Sequence, residues 1–346
     1  MTVRLLLLIA VAALGCAPDP ASEPRPRPAV RSEVLIPRAG GSGAGGPGAG
    51  GLGAGGLGAD GPGADGSGQP AFVITPENYG SGDGPYPLLV SLHTWSNGYE
   101  QRHDELEALA QQKGWIYLFP DFRGRNDHPL ACGSEQAQQD ILDAVAWAKK
   151  TYPVDEQRIY LTGTSGGGHM ALLMAGRHPE VWAAVSAWAS ISDLAAWHQV
   201  HPGDEYGEMM RASMGGAPGA SPAVDQEYRN RSPLTWLAAA KDLPVDIATG
   251  VRDGHAGSVP IRHSLDAFNV IARAAGAEEV SEREIEQLSA GPEARLAEPK
   301  PSDLAQDEAL GRAIYLRRQA GRSRVTIFEG GHEGIAAAQV DWLARF

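Results

Sequence analysis

The segment Gly163-Thr164-Ser165-Gly166-Gly167 places a serine between glycines at the second position on either side. No other serine in the chain has that spacing. An apolar run over 158–162 precedes it. Helical spacing over 166–177 follows, with Met170, Leu173 and Met174 on one face. A strand that turns so sharply into a helix tolerates only small residues beside the turn, and it pushes the serine hydroxyl out above the sheet. The start of the helix aims backbone N–H groups at a carbonyl under attack. The chemistry to expect is acyl transfer through Ser165 as nucleophile. Without the strand before it and the helix after it, the same pattern would read as an ordinary tight turn in a glycine-rich chain.

A serine nucleophile needs a base, and in this strand–turn–helix arrangement the base comes late, after the last strand. Phe328-Glu329-Gly330-Gly331-His332-Glu333-Gly334 lies there, and its glycines let the His332 imidazole reach back over the sheet. An acid is expected between the two, in the order Ser, Asp, His. Asp253, in Gly250-Val251-Arg252-Asp253-Gly254-His255, follows an apolar strand and is favoured to hold the imidazole in its working tautomer. Asp193, after the preceding strand, is the competitor; Asp246 falls within a strand and is expected to be buried. Two donors must stabilise the oxyanion. One is the N–H of Gly166. The other comes from Leu92-His93-Thr94-Trp95-Ser96-Asn97-Gly98, where Trp95 N–H is favoured over Thr94 N–H. His93 is read as fixing that loop.

The elements that must position these residues alternate between strand-like and helix-like runs from about residue 70. Strands are expected at 87–92, 115–119, 158–162, 182–189, 245–249 and 325–328, and helices at 136–150, 166–177, 261–275 and 335–346. That alternation predicts an α/β fold with a mostly parallel central sheet flanked by helices. The span 194–242 is expected to form a short cap over the C-terminal edge of the sheet. The polar, proline-interrupted span 281–323 is expected to be a surface insertion with short helices.

With those residues in view, the chain over 70–346 resembles the α/β-hydrolases of the prolyl oligopeptidase and esterase-type superfamily. Pro120-Asp121-Phe122-Arg123-Gly124, Arg231-Ser232-Pro233 and Val259-Pro260 carry the likeness alongside the serine turn. Two positions depart from it. Gly166 stands where prolyl oligopeptidases usually have tyrosine, and His93-Thr94 where many relatives have His-Gly. The resemblance implies an α/β-hydrolase fold and a Ser165–Asp253–His332 serine hydrolase that needs no cofactor. Peptidase relatives carry a β-propeller that screens substrates, and this chain is expected to have no room for one. Carboxylic ester hydrolysis is therefore expected, on small-molecule or carbohydrate esters, with a prolyl oligopeptidase-type peptidase as the alternative. Trp188 and Trp197, with Trp95, are expected to flank the mouth of the site, where their faces suit sugar rings.

The N-terminus is read separately. Arg4, an apolar stretch over 5–14 and Ala13-Leu14-Gly15-Cys16 resemble a bacterial lipoprotein signal, which makes 1–15 a signal peptide and Cys16 a lipidated first residue. Residues 16–69 are rich in Gly, Pro and Ala and read as a disordered tether; the glycines are too irregular for collagen. An exported protein anchored to the cell envelope, at the outer membrane or cell surface, follows. Cys132, the other cysteine, is read as a lone thiol in a loop. The net charge of −13 argues against a nucleic-acid partner. His198 and His201 have the i, i+3 spacing of helix ligands, but only Asp204 or Glu205 offers a third, so no metal is expected. A non-catalytic reading also exists: a tethered carbohydrate-binding module with Trp95, Trp188, Trp197 and Tyr206 as stacking faces. The ordered Ser, Asp and His favour an enzyme over it.

Overall fold

The structure, a computed structural model, describes residues 31–38, 68–80 and 84–346. In chain order, β1 (Arg31–Ile36) and β2 (Gln69–Ile74) precede β3 (Tyr86–Leu92), α1 (Asp104–Gln112), β4 (Ile116–Pro120), α2 (Glu135–Thr151), β5 (Val154–Thr164) and α3 (Gly166–Arg177). Then come β6 (Ala184–Trp188), three cap helices α4 (Leu194–Val200), α5 (Glu205–Met214) and α6 (Pro222–Arg231), β7 (Val245–Gly250) and α7 (Arg262–Ala274). α8 (Glu282–Ser289), β8 (Ile314–Ala320), β9 (Ser323–Phe328) and α9 (Ala336–Leu343) complete it.

The strands form one nine-stranded sheet in the order β1-β2-β4-β3-β5-β6-β7-β9-β8. β4, β3, β5, β6, β7 and β9 are parallel, while β1, β2 and β8 run antiparallel to their neighbours. The parallel strands are apolar on both faces, as in Leu88-Leu89-Val90 of β3 and Ile116-Tyr117-Leu118-Phe119 of β4, because helices cover both sides. α2, α3 and α7 pack on one side through residues such as Ile141, Met170, Leu173 and Phe268. α1 and α9 pack on the other through Leu106, Ala110, Val340 and Leu343. α3 is buried nearly all round, which is why its sequence lacks a polar face. Between β3 and β5 the strand order reverses, and ligands of such sheets bind outside the strand ends at this point.

Register brings five strand ends to one edge. Leu92 of β3 pairs with Gly163 of β5, Thr164 with Trp188 of β6, and Gly250 of β7 with Phe328 of β9. Ser165, Asp253 and His332 all follow these ends. The cap helices start on side-chain caps: Asp193 accepts from Ala195 N and Ala196 N, Asp204 from Gly207 N, and Ser221 from Val224 N.

Two expectations change. The span 16–69 read as a tether contains β1, an edge strand paired with β2 over Arg31↔Ile74 to Ile36↔Gln69; residues 39–67 lie outside the described residues. The insertion 281–323 also contributes β8 to the sheet. Its charges concealed it: Arg318 is buried and ion-paired to Asp303 and Glu284, an arrangement that composition cannot foretell.

Several histidines are buried and bonded as neutral rings. Burial holds His169 and His263 down to about 4, and lowers His93 and His103 as well. Burial also pushes the Asp121 carboxyl up to about 6. Between pH 7 and pH 6 the unfolded histidines take up protons that the folded ones refuse, so stability falls as pH falls through this window. The Asp121 carboxyl opposes this in part, because it is half protonated at about pH 6. His169 and His263 together are worth about 1.5 kcal/mol at pH 6, or about 3 °C in Tm for a domain of this size. Thermal melts at pH 7.5 and pH 6 should show that drop; an unchanged or rising Tm on acidification would mean the rings are charged in the fold.

Candidate active site

Ser165 sits at the junction of β5 and α3 with φ 60° and ψ −120°, a backbone state that residues with side chains rarely adopt. Its N–H donates to Trp188 O (2.8 Å), and its carbonyl accepts from His169 N (2.8 Å), the first turn of α3. The surrounding glycines are required by contact. A methyl group on Gly163 would overlap the Gly167 backbone, on Gly167 it would overlap Leu92 O, and on Gly168 it would lie 2.6 Å from Trp188 O. The serine is 9% exposed.

His332 Nδ1 lies 2.8 Å from Asp253 Oδ2. Asp253 is 1% exposed. Its Oδ2 also accepts from Thr249 Oγ1 (3.2 Å), and its Oδ1 from Gly254 N (3.0 Å) and Val259 N (3.0 Å). This fixes the carboxylate and satisfies it without an arginine. The His332 side chain keeps 25% of its surface exposed. The loop that carries it meets the serine turn: Gln339 Nε2 of α9 donates to Thr164 Oγ1 (3.4 Å), and a methyl on Gly334 would overlap the same oxygen. Asp193 does not join this set; its carboxylate caps α4. Asp246 is buried and ion-paired to Arg324 Nε (2.6 Å), with Ser186 Oγ donating to it (3.0 Å).

On the loop after β3, Thr94 N–H is taken up by Gln101 Oε1 (2.8 Å). Trp95 N–H remains as this loop's donor, and it lies so close to Gly166 that a methyl there would overlap it. Thr94 N–H is thus engaged within the loop, while Trp95 N–H lies against Gly166. The same contact accounts for glycine, not a larger residue, at position 166 in this chain. His93 locks the loop from behind. Its Nε2 lies 2.7 Å from Asp121 O, its Nδ1 2.9 Å from Thr94 O, and its ring stacks on Phe122 at 3.8 Å. Phe122 and Arg123 themselves have positive φ, 34° and 81°, which folds the segment after β4 under the loop.

Tryptophan placement is a correction. Trp95, Trp188 and Trp197 are 2%, 1% and 1% exposed, so none offers a face to a substrate. Trp197 Nε1 donates to Ser258 O (2.8 Å) and Trp188 Nε1 to Ser186 Oγ (2.8 Å). The Trp95 indole is wedged against Trp197 (4.7 Å) and His169 (5.8 Å). Trp95 and Trp197 thus pack the loop after β3 against the cap, while Trp188 packs against Phe328 of β9. His201 Nδ1 is 2.6 Å from Asp204 Oδ2 and its Nε2 2.7 Å from Ser258 O, while His198 Nε2 faces Arg211 Nη1 at 3.3 Å. Cys132 is buried in the loop before α2, and burial pushes its thiol up to about 12. Cys16 lies outside the described residues. Gln101, bonded to the loop after β3, and Thr249, bonded to Asp253, escaped sequence reading because nothing in a lone glutamine or threonine marks its partner. Gly257 was legible in principle: a methyl there would lie 2.8 Å from His332 Cβ.

Residues 103–277 match the model of the prolyl oligopeptidase family. That span holds Ser165 and Asp253, whereas Trp95 and His332 lie beyond it. Among curated proteins, acetylxylan esterase A of Aspergillus oryzae is 26% identical over 130 residues, 35% of this chain and 41% of that protein. Feruloyl esterase B of Talaromyces stipitatus is 25% identical over 181 residues, 48% of this chain and 45% of that protein. The chain thus spans less than half the length of these relatives. Among solved structures, acylaminoacyl peptidase of Pyrococcus horikoshii has TM-score 0.50 at 20% identity, covering 61% of this chain and 33% of that one. Prolyl oligopeptidase B of Galerina marginata has TM-score 0.53 at 14% identity, covering 71% and 32%. These structures share the α/β-hydrolase fold. With half its length matched by the family model, and a serine turn at the sheet edge that the fold uses for hydrolysis, the chain is a serine hydrolase belonging to the prolyl oligopeptidase family.

Proposed function

We propose that the chain is a carboxylic ester hydrolase that cleaves acyl groups from carbohydrates by a Ser165–His332–Asp253 triad. Ser165 Oγ attacks the ester carbonyl and passes its proton to His332 Nε2. Asp253 holds Nδ1–H and stabilises the imidazolium. The N–H groups of Gly166 and Trp95 take the charge that develops on the carbonyl oxygen. His332 then protonates the departing alkoxide, and a water molecule, activated by the same imidazole, releases the acid. The 2.8 Å contact between His332 Nδ1 and Asp253 Oδ2 supports the acid assignment. The observation that carries the ester reading is the similarity to acetylxylan esterase A and feruloyl esterase B. The family also gives weight to a second reading, peptide hydrolysis by the same residues.

Three measurements test this. Ser165→Ala should abolish labelling by a fluorophosphonate and lower kcat by about 10⁴-fold or more. Asp253→Asn should lower kcat by about 10⁴-fold because the histidine loses its tautomer control, whereas Asp193→Asn should cost little activity; the reverse ranking would move the acid to the earlier strand. In a panel of short acyl esters, acetylated oligosaccharides and prolyl or alanyl anilides, kcat/KM should be highest on an ester. Anilides cleaved faster than every ester would hand the site to the peptidase reading.

We further propose export and lipid anchoring through Cys16, supported by the charged and apolar leader that precedes it. Cys16→Ser should shift the protein from the membrane fraction to the soluble fraction; unchanged attachment would refute lipidation.

A further inference from the structure

Asp253 is followed by a turn, 254–258, that belongs to no helix or strand and is exposed at Gly254, His255 and Ala256. The turn comes back over the carboxylate. A methyl group on Gly257 would overlap Asp253 Oδ1, and one on Gly254 would overlap Pro260 Cα. At the far end of the turn, Val259 N donates to Asp253 Oδ1 (3.0 Å). That N–H shares its peptide plane with Ser258 O. The carbonyl faces the cap, where it accepts from Trp197 Nε1 (2.8 Å) and His201 Nε2 (2.7 Å). His201 is itself fixed from more than one side. Its Nδ1 lies 2.6 Å from Asp204 Oδ2, and Asp204 Oδ1 accepts from Gly207 N (3.1 Å) in the first turn of α5. A methyl on Gly207 would overlap His201 O. The Trp197 ring packs edge-on to His201 (5.1 Å) and against Tyr206 (5.2 Å). The histidine and aspartate whose spacing suggested metal ligands thus meet a carbonyl of the acid's own loop.

We propose that Trp197 and His201 are positioning residues for the hydrolysis: they clamp Ser258 O, and through the Ser258–Val259 peptide they hold Asp253 in place for His332. The inference rests on the triad assigned above and adds the cap to it. A peptide is planar and does not rotate about its C–N bond, so fixing the carbonyl fixes the N–H on the other side of the plane. Hydrogen bonds in such a chain also polarise one another, and two donors on the oxygen make the N–H a stronger donor to the carboxylate. Within the turn, His255 N and Ala256 N are bonded to Arg252 O, which fixes its first half. The bonds of Ser258 O to the cap and of Val259 N to the carboxylate fix its second half. A plainer role is also open to the two residues, that of seating the cap on the sheet. In that case their loss would loosen the cap and leave the acid alone. The two roles part on whether the effect of removing the donors passes through Asp253.

The rate of fluorophosphonate labelling of the full chain reads the reactivity of Ser165 whichever bond the enzyme cleaves. The Trp197→Phe/His201→Leu double variant removes both donors and should slow labelling by about tenfold or more. His201→Gln, with Trp197 in place, keeps an amide donor for Ser258 O and should label within about twofold of the unaltered protein. Ser221→Ala removes the N-cap of α6 and should lower Tm while leaving labelling as it is. The decisive comparison is made in the Asp253→Asn background. There the double substitution should cost less than about twofold, because residues that act through one group add nothing once that group is gone. The full cost persisting in that background, unchanged labelling by the double variant, or equal slowing by Ser221→Ala would each overturn the positioning role while the triad stands. If Asp253→Asn labels at the normal rate, the triad assignment falls and this inference with it. Should the double variant fail to fold, Trp197→Phe and His201→Leu taken singly, each with and without Asp253→Asn, decide by the same outcomes.

Discussion

Ser165 is held in a backbone state that costs about 1–3 kcal/mol, and the surrounding structure is arranged so that the chain cannot relax out of it. Its N–H is tied to the end of β6 through Trp188 O, and its carbonyl to the first turn of α3 through His169 N. On either side, glycines let α3 start in contact with the ends of β3, β5 and β6. A single methyl group at Gly163, Gly166 or Gly167 would push the helix off these strands. The closeness has a chemical consequence. The helix start that the elbow presses against the sheet is the same one that brings Gly166 beside Trp95 N–H. One steric constraint therefore projects the hydroxyl and draws together the two N–H groups that would receive the oxyanion.

Charge is handled differently at the two buried aspartates of the β7 region. Asp246, within the strand, is neutralised by Arg324 and bonded by Ser186. A buried carboxylate needs such partners, since taking a charge out of water costs several kcal/mol. Asp253, three residues beyond the strand, has no arginine. Two backbone N–H groups, the Thr249 hydroxyl and the His332 ring satisfy it instead. Neutral donors hold its position while leaving its charge uncancelled, so the field it exerts is directed at the imidazole. An arginine in that place would compete with a protonated His332 ring for the carboxylate.

The serine turn between strand and helix and the parallel strands were legible because each depends on local sequence: glycines at a tight turn, apolar runs ended by glycine or proline. The expected helix at 166–177 coincides with α3, and the other elements lie within a few residues of expectation. What escaped depends on partners far away in sequence. β1 is recognisable only because Ile36 and its neighbours pair with β2 across a glycine-rich stretch. β8 contains two arginines, and Arg318 is buried only because Asp303 and Glu284 meet it. The tryptophans failed for a related reason. A large aromatic after a strand end can line a mouth or plug a cap, and only the packing of α4 and α5 decides which. Here Trp197 lies among Trp95, Met209 and Met210, inside the cap's own core.

That outcome changes how substrate choice must be understood in this chain. Ester and peptide hydrolysis share the attack on the carbonyl, the oxyanion donors and the acyl-enzyme; they part at the leaving group, which is an alkoxide in one and an amine in the other. Discrimination between them therefore belongs on the side of His332 that faces the departing half, and the elbow cannot supply it. The buried tryptophans offer no face to a departing group. Sites built to hydrogen-bond a substrate hydroxyl reject partners that lack it far more strongly than apolar sites reject a wrong shape, because the polar groups would be left unpaired. An elbow common to a whole family thus leaves the choice of leaving group to residues outside it.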